Sequence, residues 1–161
     1  MSDVTRAEIR LTQLDRYRFA VRMERPEWTL TVDEPPPVGE GAGPNPARLI
    51  ATAIGHCLSS SLLYCLERAR VQGVRLETSV DVEVRRNDRG RWRISGVRAK
   101  IDVQGLDPSQ RAALARCRSI FEDYCIATAS VRQGIPVEVE VRAGEGPGEE
   151  PSGGGPRGDP P

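Results

Sequence analysis

This sequence has little net charge, histidine, lysine or aromatic character, and no closely spaced cysteine pairs. In its 161 residues Lys plus Arg and Asp plus Glu stand at 23 each, so no net field gathers nucleic acid or an anionic membrane surface. The one histidine, His56, adjoins Cys57 instead of lying a turn away, and no CxxC or CxxH pair occurs. The ligand spacing of a structural zinc site is therefore missing. Lys100 is the single lysine against 22 arginines, which are scattered among acids and read as a compositional habit. Aromatics at 4% leave a thin apolar inventory, enough for one core, and the length fits one domain better than a multidomain enzyme. The opening MSDVTRAEIR has no apolar run, so no signal peptide is expected and the cytoplasm is the expected compartment. Four cysteines in such a chain argue against a structural disulfide framework, because the cytosol keeps thiols reduced.

Glycine and proline are plentiful but unevenly placed. From Ala143 to Pro161, 12 of 19 residues are Gly or Pro and none is large and apolar, so this stretch is expected to be a disordered tail. The folding domain is then residues 1–142, with its ordered part beginning near residue 4.

Within it, residues 7–32 alternate as three strands, with a turn at Asp15-Arg16 and Phe19, Val21 and Met23 on one face. Pro35-Pro36-Pro37 and the glycine-rich run after it form a loop. Asn45-Pro46 then starts a helix, with Asn as cap and Pro in the first turn. That helix runs from Ala47 to about Ala69, and the 18 residues between Arg48 and Glu67 carry no charge apart from His56 when protonated. Gly55, His56, Thr52 and serines 59–61 argue against a membrane span. The better reading is a helix buried on nearly all sides, by sheets or by a partner subunit. Three strands follow, with a turn at Asn87-Asp88-Arg89-Gly90 and a bulge where the apolar register slips at Ser95-Gly96. The arginines around Trp92 read as a solvated hairpin tip, not a nucleic-acid site. Asp107-Pro108 starts a second helix through Tyr124, with Leu114, Cys117, Ile120, Phe121 and Tyr124 on its buried face. A short helix or turn and a last strand, IPVEVEV, complete an α+β order.

Cysteine chemistry needs a thiolate, and Cys57 lies about three turns into its helix, too far for that helix's dipole to help. If the helices pack, Cys57 meets Cys125, a thiol pair distant in sequence. Cys65 and Cys117 fall at buried helical positions and read as small hydrophobes. His56 points about 100° away from Cys57 on the helix and reads as a packed or interface residue, as Tyr124 does.

The run GAGPNPARLIATAIGHCLSSSL, with a cysteine 12 residues after Asn45, and the later FEDYCIATASVRQGIPVEVEV resemble the OsmC/Ohr family of osmotically inducible and organic hydroperoxide resistance proteins. The resemblance covers roughly residues 7–142. It implies an intertwined homodimer in which long central helices are wrapped by antiparallel sheets from both chains. It also implies a thiol-dependent peroxidase that reduces organic hydroperoxides and hydrogen peroxide, with Cys57 peroxidatic and Cys125 resolving. The reductant implied is a dithiol of lipoyl or thioredoxin type, and no metal, haem or flavin is required. In two respects the chain departs from the pattern. The family's enzymes carry a glutamate directly after the Asn-Pro pair and recruit an arginine from the preceding segment. Here Ala47 follows Pro46, and no arginine lies between Trp28 and Ala47. Arg22 or Arg25, with Glu40 or Glu122, are the side chains available instead. The departure motivates a second reading, a weakly catalytic redox-sensing or ligand-binding dimer.

Overall fold

The computed structural model of the chain describes residues 6–24 and 28–142; Arg25 and the expected tail from residue 143 lie outside them. Three antiparallel strands, β1 (Arg10–Asp15), β2 (Arg18–Arg22) and β3 (Thr29–Val32), form one sheet with β2 central. Asp33 ends this sheet and organises the loop behind it. Its buried carboxylate accepts the backbone N–H groups of Glu34 at 2.8 Å and of Glu40 and Ala42 at 3.0 Å each. Those donors, Ala42 foremost, hold the carboxyl below its ordinary pKa.

The loop delivers the chain to α1 (Pro46–Arg68), where Asn45 Oδ1 accepts the N–H of Arg48 at 3.1 Å as the capping pattern predicts. One stripe of the helix, including Ile54, Leu58, Leu62 and Leu66, is buried. It lies across the hairpin of β4 (Arg75–Arg86) and β5 (Trp92–Gln104). Gly55 lets the two approach, since a Cβ there would meet Val80 Cγ2 at 2.6 Å. Ser59 Oγ bonds Thr78 Oγ1 at 2.7 Å across the same contact. This helix is long and apolar enough to cross a membrane, yet the hairpin and later helices use its apolar stripe as a core. Within the single chain its far face leaves Ile50, Leu63 and Tyr64 exposed, the side for which a partner subunit is the expected cover.

The hairpin turn is pinned by Asn87 Oδ1, which accepts from Arg89 N at 3.1 Å and Arg91 N at 3.0 Å. Glu83 pairs with Gly96 and Val84 with Ile94, leaving Ser95 as the extra residue of a bulge at the expected place. The ladder continues through it, so the two strands read across this region in the sequence are one.

The expected second helix also needs correction. After a 3₁₀ turn at Pro108–Gln110, capped by Asp107, α2 covers only Arg111–Arg118. A second 3₁₀ turn, Phe121–Tyr124, then leads to α3 (Ile126–Gln133). Ser119 Oγ bonds the Arg116 carbonyl at 2.7 Å and the helix ends there, which turns Ile120 and Tyr124 outward to exposures of 44% and 65%. Residues 135–141, read as a closing strand, form no ladder. Val137, Val139 and Val141 are 80–89% exposed.

Candidate dithiol site

Cys57 lies about three turns into α1, and Cys125 is the residue immediately before α3. Phe121 packs against both halves of the core, including the Ile54–Leu58–Cys125 cluster, and so seats the turn that carries Cys125 under α1. Cys57 packs against the buried cluster that contains Cys125, which brings the two thiols together. Cys125 is fully buried while Cys57 is partly exposed. The N–H of Ala127, in the first turn of α3, donates to Cys57 Sγ at 3.5 Å. Sequence reasoning missed this contact: α1's own dipole is remote from Cys57, but α3 brings a second helix N-terminus to it.

The two thiols titrate as a pair. Burial pushes the Cys57 thiol up, and its hydrogen bond to Cys125 adds to that; the N–H groups of Ala127 and Ile126 oppose both without prevailing. Burial of Cys125 works against its thiolate too. Hydrogen bonds from Cys57, from the Thr128 hydroxyl and from the N–H groups of Thr128 and Ala127 outweigh it and hold Cys125 below the ordinary thiol value. Cys125 Sγ lies 3.0 Å from Thr128 Oγ1, which it faces as donor when protonated and as acceptor when ionised. Of the two, Cys125 is thus the readier to lose its proton and Cys57 the readier to keep it.

The side chains considered as activators go elsewhere. Glu40 faces Arg18 at 3.7 Å in the N-terminal sheet, where the exposed Arg22 also lies. Glu122 pairs at 2.6 Å with Arg132 of α3, a partner not singled out from the sequence. His56 Nε2 stands 3.5 Å from Ser60 Oγ on the exposed side of α1, and Tyr124 faces solvent. The Glu122–Arg132 pair lies on the wall of an open cavity of about 840 Å³, whose mixed lining includes Ile54, Leu58, Phe121 and Thr128. Among the described residues no cluster of three His, Cys, Asp or Glu side chains is arranged to hold a metal ion.

Contrary to the expectation of reduced thiols throughout, Cys65 of α1 and Cys117 of α2 are joined in a disulfide. The packing of α2 against α1 brings their Cα atoms to 5.7 Å, inside the range a disulfide spans.

An antiparallel α+β chain with a long helix presenting one cysteine to another at the start of a later helix defines a dithiol protein of mixed architecture. The sequence model of the OsmC-like protein family matches residues 39–140, and the chain belongs to that family. Solved structures agree on the fold. An OsmC-like protein of unknown function from Vibrio cholerae superposes with a TM-score of 0.64 at 12% identity, covering 78% of this chain and 93% of that one. The organic hydroperoxide resistance protein OsmC of Legionella pneumophila gives 0.62 at 16% identity, over 81% and 92%. The organic hydroperoxide resistance protein OhrB of Bacillus subtilis gives 0.56 at 17%, over 78% and 90%. At these identities the likeness is one of fold. No curated protein matches the chain by sequence.

Proposed function

We propose that this protein is a cysteine-based peroxidase that reduces organic hydroperoxides, and hydrogen peroxide, acting as a homodimer. The observation that carries the reading is the juxtaposed Cys57 and Cys125 pair at the first N–H groups of α3. Cys57, as the partly exposed member, is the peroxidatic cysteine. Its proton passes to Cys125 as its sulfur attacks the outer oxygen of ROOH. The O–O bond breaks, ROH leaves with that proton, and Cys57 becomes a sulfenic acid. Cys125, again a thiolate, attacks the Cys57 sulfur and expels hydroxide, leaving a Cys57–Cys125 disulfide. An external dithiol of lipoyl or thioredoxin type returns two electrons and two protons and is itself oxidised to a disulfide.

In this scheme the second cysteine does the work of the missing carboxylate and guanidinium. Cys57→Ser is expected to abolish turnover, and Cys125→Ser to leave an oxidised Cys57 that reacts with dimedone; turnover that survives without Cys57 contradicts the reading.

A second reading rests on Ala47. With no carboxylate after Pro46, and with Glu40 and Glu122 bonded to Arg18 and Arg132, a weakly catalytic redox-sensing or ligand-binding dimer is the alternative. It predicts a Cys57–Cys125 disulfide that forms stoichiometrically but does not cycle. Dimerisation is supported by the apolar surface that the single chain leaves uncovered on α1 and on residues 137–141. The cytoplasm remains the proposed compartment.

A further inference from the structure

The cysteines fall on two segments with the same spacing. Cys57 and Cys65 are eight residues apart on α1, and Cys117 and Cys125 are eight residues apart on the stretch from α2 to the start of α3. The segments run antiparallel, so the four sulfurs make two rungs, Cys57 with Cys125 and Cys65 with Cys117. Along α1 the rungs stand about 12 Å apart at 1.5 Å per residue. One rung is open and the other closed in the same structure. Between them the chain from Ser119 to Tyr124 is held by Phe121 in the core and by the Glu122–Arg132 ion pair, while Ile120 and Tyr124 face solvent. The first rung's register thus depends on a short turn whose upstream end is fixed by the second rung. Cys117 is buried, whereas Cys65 is only partly buried, which leaves Cys65 as the sulfur open to an incoming thiolate.

We propose that Cys65 and Cys117 form a second dithiol–disulfide couple that positions Cys125 against Cys57, each closed rung favouring closure of the other. The inference rests on reading Cys57 and Cys125 as an exchanging pair. Each closure converts two S–H groups into one S–S bond, and an external disulfide takes up the two electrons and two protons. Each opening is the reverse, driven by a dithiol. Because the coupling is a free energy between two sites, it is reciprocal, and both closure constants change by the same factor. A reducing environment that opens Cys65–Cys117 would then lower the tendency of Cys57–Cys125 to close, giving the site a second redox input besides its own substrate.

The test is a redox titration of the full unmodified chain in reduced and oxidised glutathione, followed by acid quenching, alkylation and mass spectrometry of the intact protein and its peptides. Four species are counted: neither rung, either one, and both closed. The closure constant of Cys57–Cys125 is expected to be about fivefold or more larger when Cys65–Cys117 is closed, and to fall by the same factor in a Cys65→Ala/Cys117→Ala double variant. A smaller factor overturns the coupling, as does a Cys65–Cys117 bond that never opens in buffers that open Cys57–Cys125, or never forms. The distribution within the unmodified chain decides the matter even if the double variant fails to fold. No Cys57–Cys125 species in any buffer removes the exchanging pair along with this proposal, whereas closure without coupling removes this proposal alone.

Discussion

Thr128 shows how local geometry divides the labour between two identical functional groups. Its hydroxyl and the free N–H groups at the start of α3 converge on Cys125 and Cys57, and donors of this kind favour a thiolate over a thiol. Thr128→Val keeps the volume and removes one donor, so the Cys125 thiol rises towards its ordinary value and less thiolate is present at neutral pH. Ultraviolet thiolate absorbance and peroxide reactivity, followed against pH, are expected to move to higher pH; an unmoved profile contradicts a Thr128 role in lowering the Cys125 thiol. Asp33 offers a second residue-level test. Its carboxyl is lowered in the fold, so its contribution is fully present above the ordinary Asp value and is lost as pH falls through the folded one. Asp33→Asn is therefore expected to unfold more easily than the parent in denaturant at pH 7, with the gap closing on acidification. Of these features, the cysteine positions were legible in the sequence through the family resemblance. The Ala127 N–H was not, because it depends on where the chain breaks between α2 and α3, and Arg118-Ser119-Ile120 has no Gly or Pro to mark a break.

At the scale of elements, the long helix and the hairpin were readable because each carries its own punctuation. Asn45-Pro46 opens α1, Asn87 and Gly90 turn the hairpin, and the apolar slip at Ser95 marks the bulge. The packing between them turns on Gly55. Gly55→Ala gains helix propensity of about 1 kcal/mol. Its methyl, however, falls 2.6 Å from Val80 Cγ2, and overpacking of that kind costs about 1–3 kcal/mol. A net loss of stability is expected in chemical denaturation, and Val80→Ala in the same chain should restore most of it. A Gly55→Ala protein as stable as the parent, with Val80→Ala giving no rescue, would remove the close α1–β4 contact from the account. Elements that depend on distant partners were misread. The apolar spacing of Leu114 to Tyr124 continues past the point where α2 ends, so its period overstated the helix. The valines of 135–141 alternate as a strand does, but alternation specifies a face and says nothing of what lies against it.

The molecule as a whole has more apolar surface than one chain covers. Val137, Val139 and Val141, with Ile50, Leu63 and Tyr64 of α1 and Leu11 and Leu14 of β1, are exposed together on a chain with no net charge. The three-stranded N-terminal sheet packs chiefly within itself and hardly touches α1 or the hairpin. Surface of this extent marks an interface, and a second copy with complementary edges is the partner that the proposed homodimer supplies. Light scattering is expected to give twice the 17.6 kDa chain mass. Val139→Asp removes about 1.5–3 kcal/mol of burial per chain, twice that per dimer, and should weaken dimerisation about a hundredfold to ten-thousandfold. A monomeric parent, or an unaffected variant dimer, would contradict this assembly.

The central claim is that Cys57 and Cys125 act together as a peroxide-reducing dithiol. Its most direct test is peroxide consumption by the purified protein with cumene hydroperoxide and dihydrolipoamide, coupled to mass mapping of the disulfides formed during turnover. The account predicts sustained consumption, a Cys57–Cys125 disulfide that appears with peroxide and disappears with the dithiol, and loss of both in Cys57→Ser. Consumption that proceeds without that bond, or a chain that keeps both thiols reduced in excess peroxide, would contradict it.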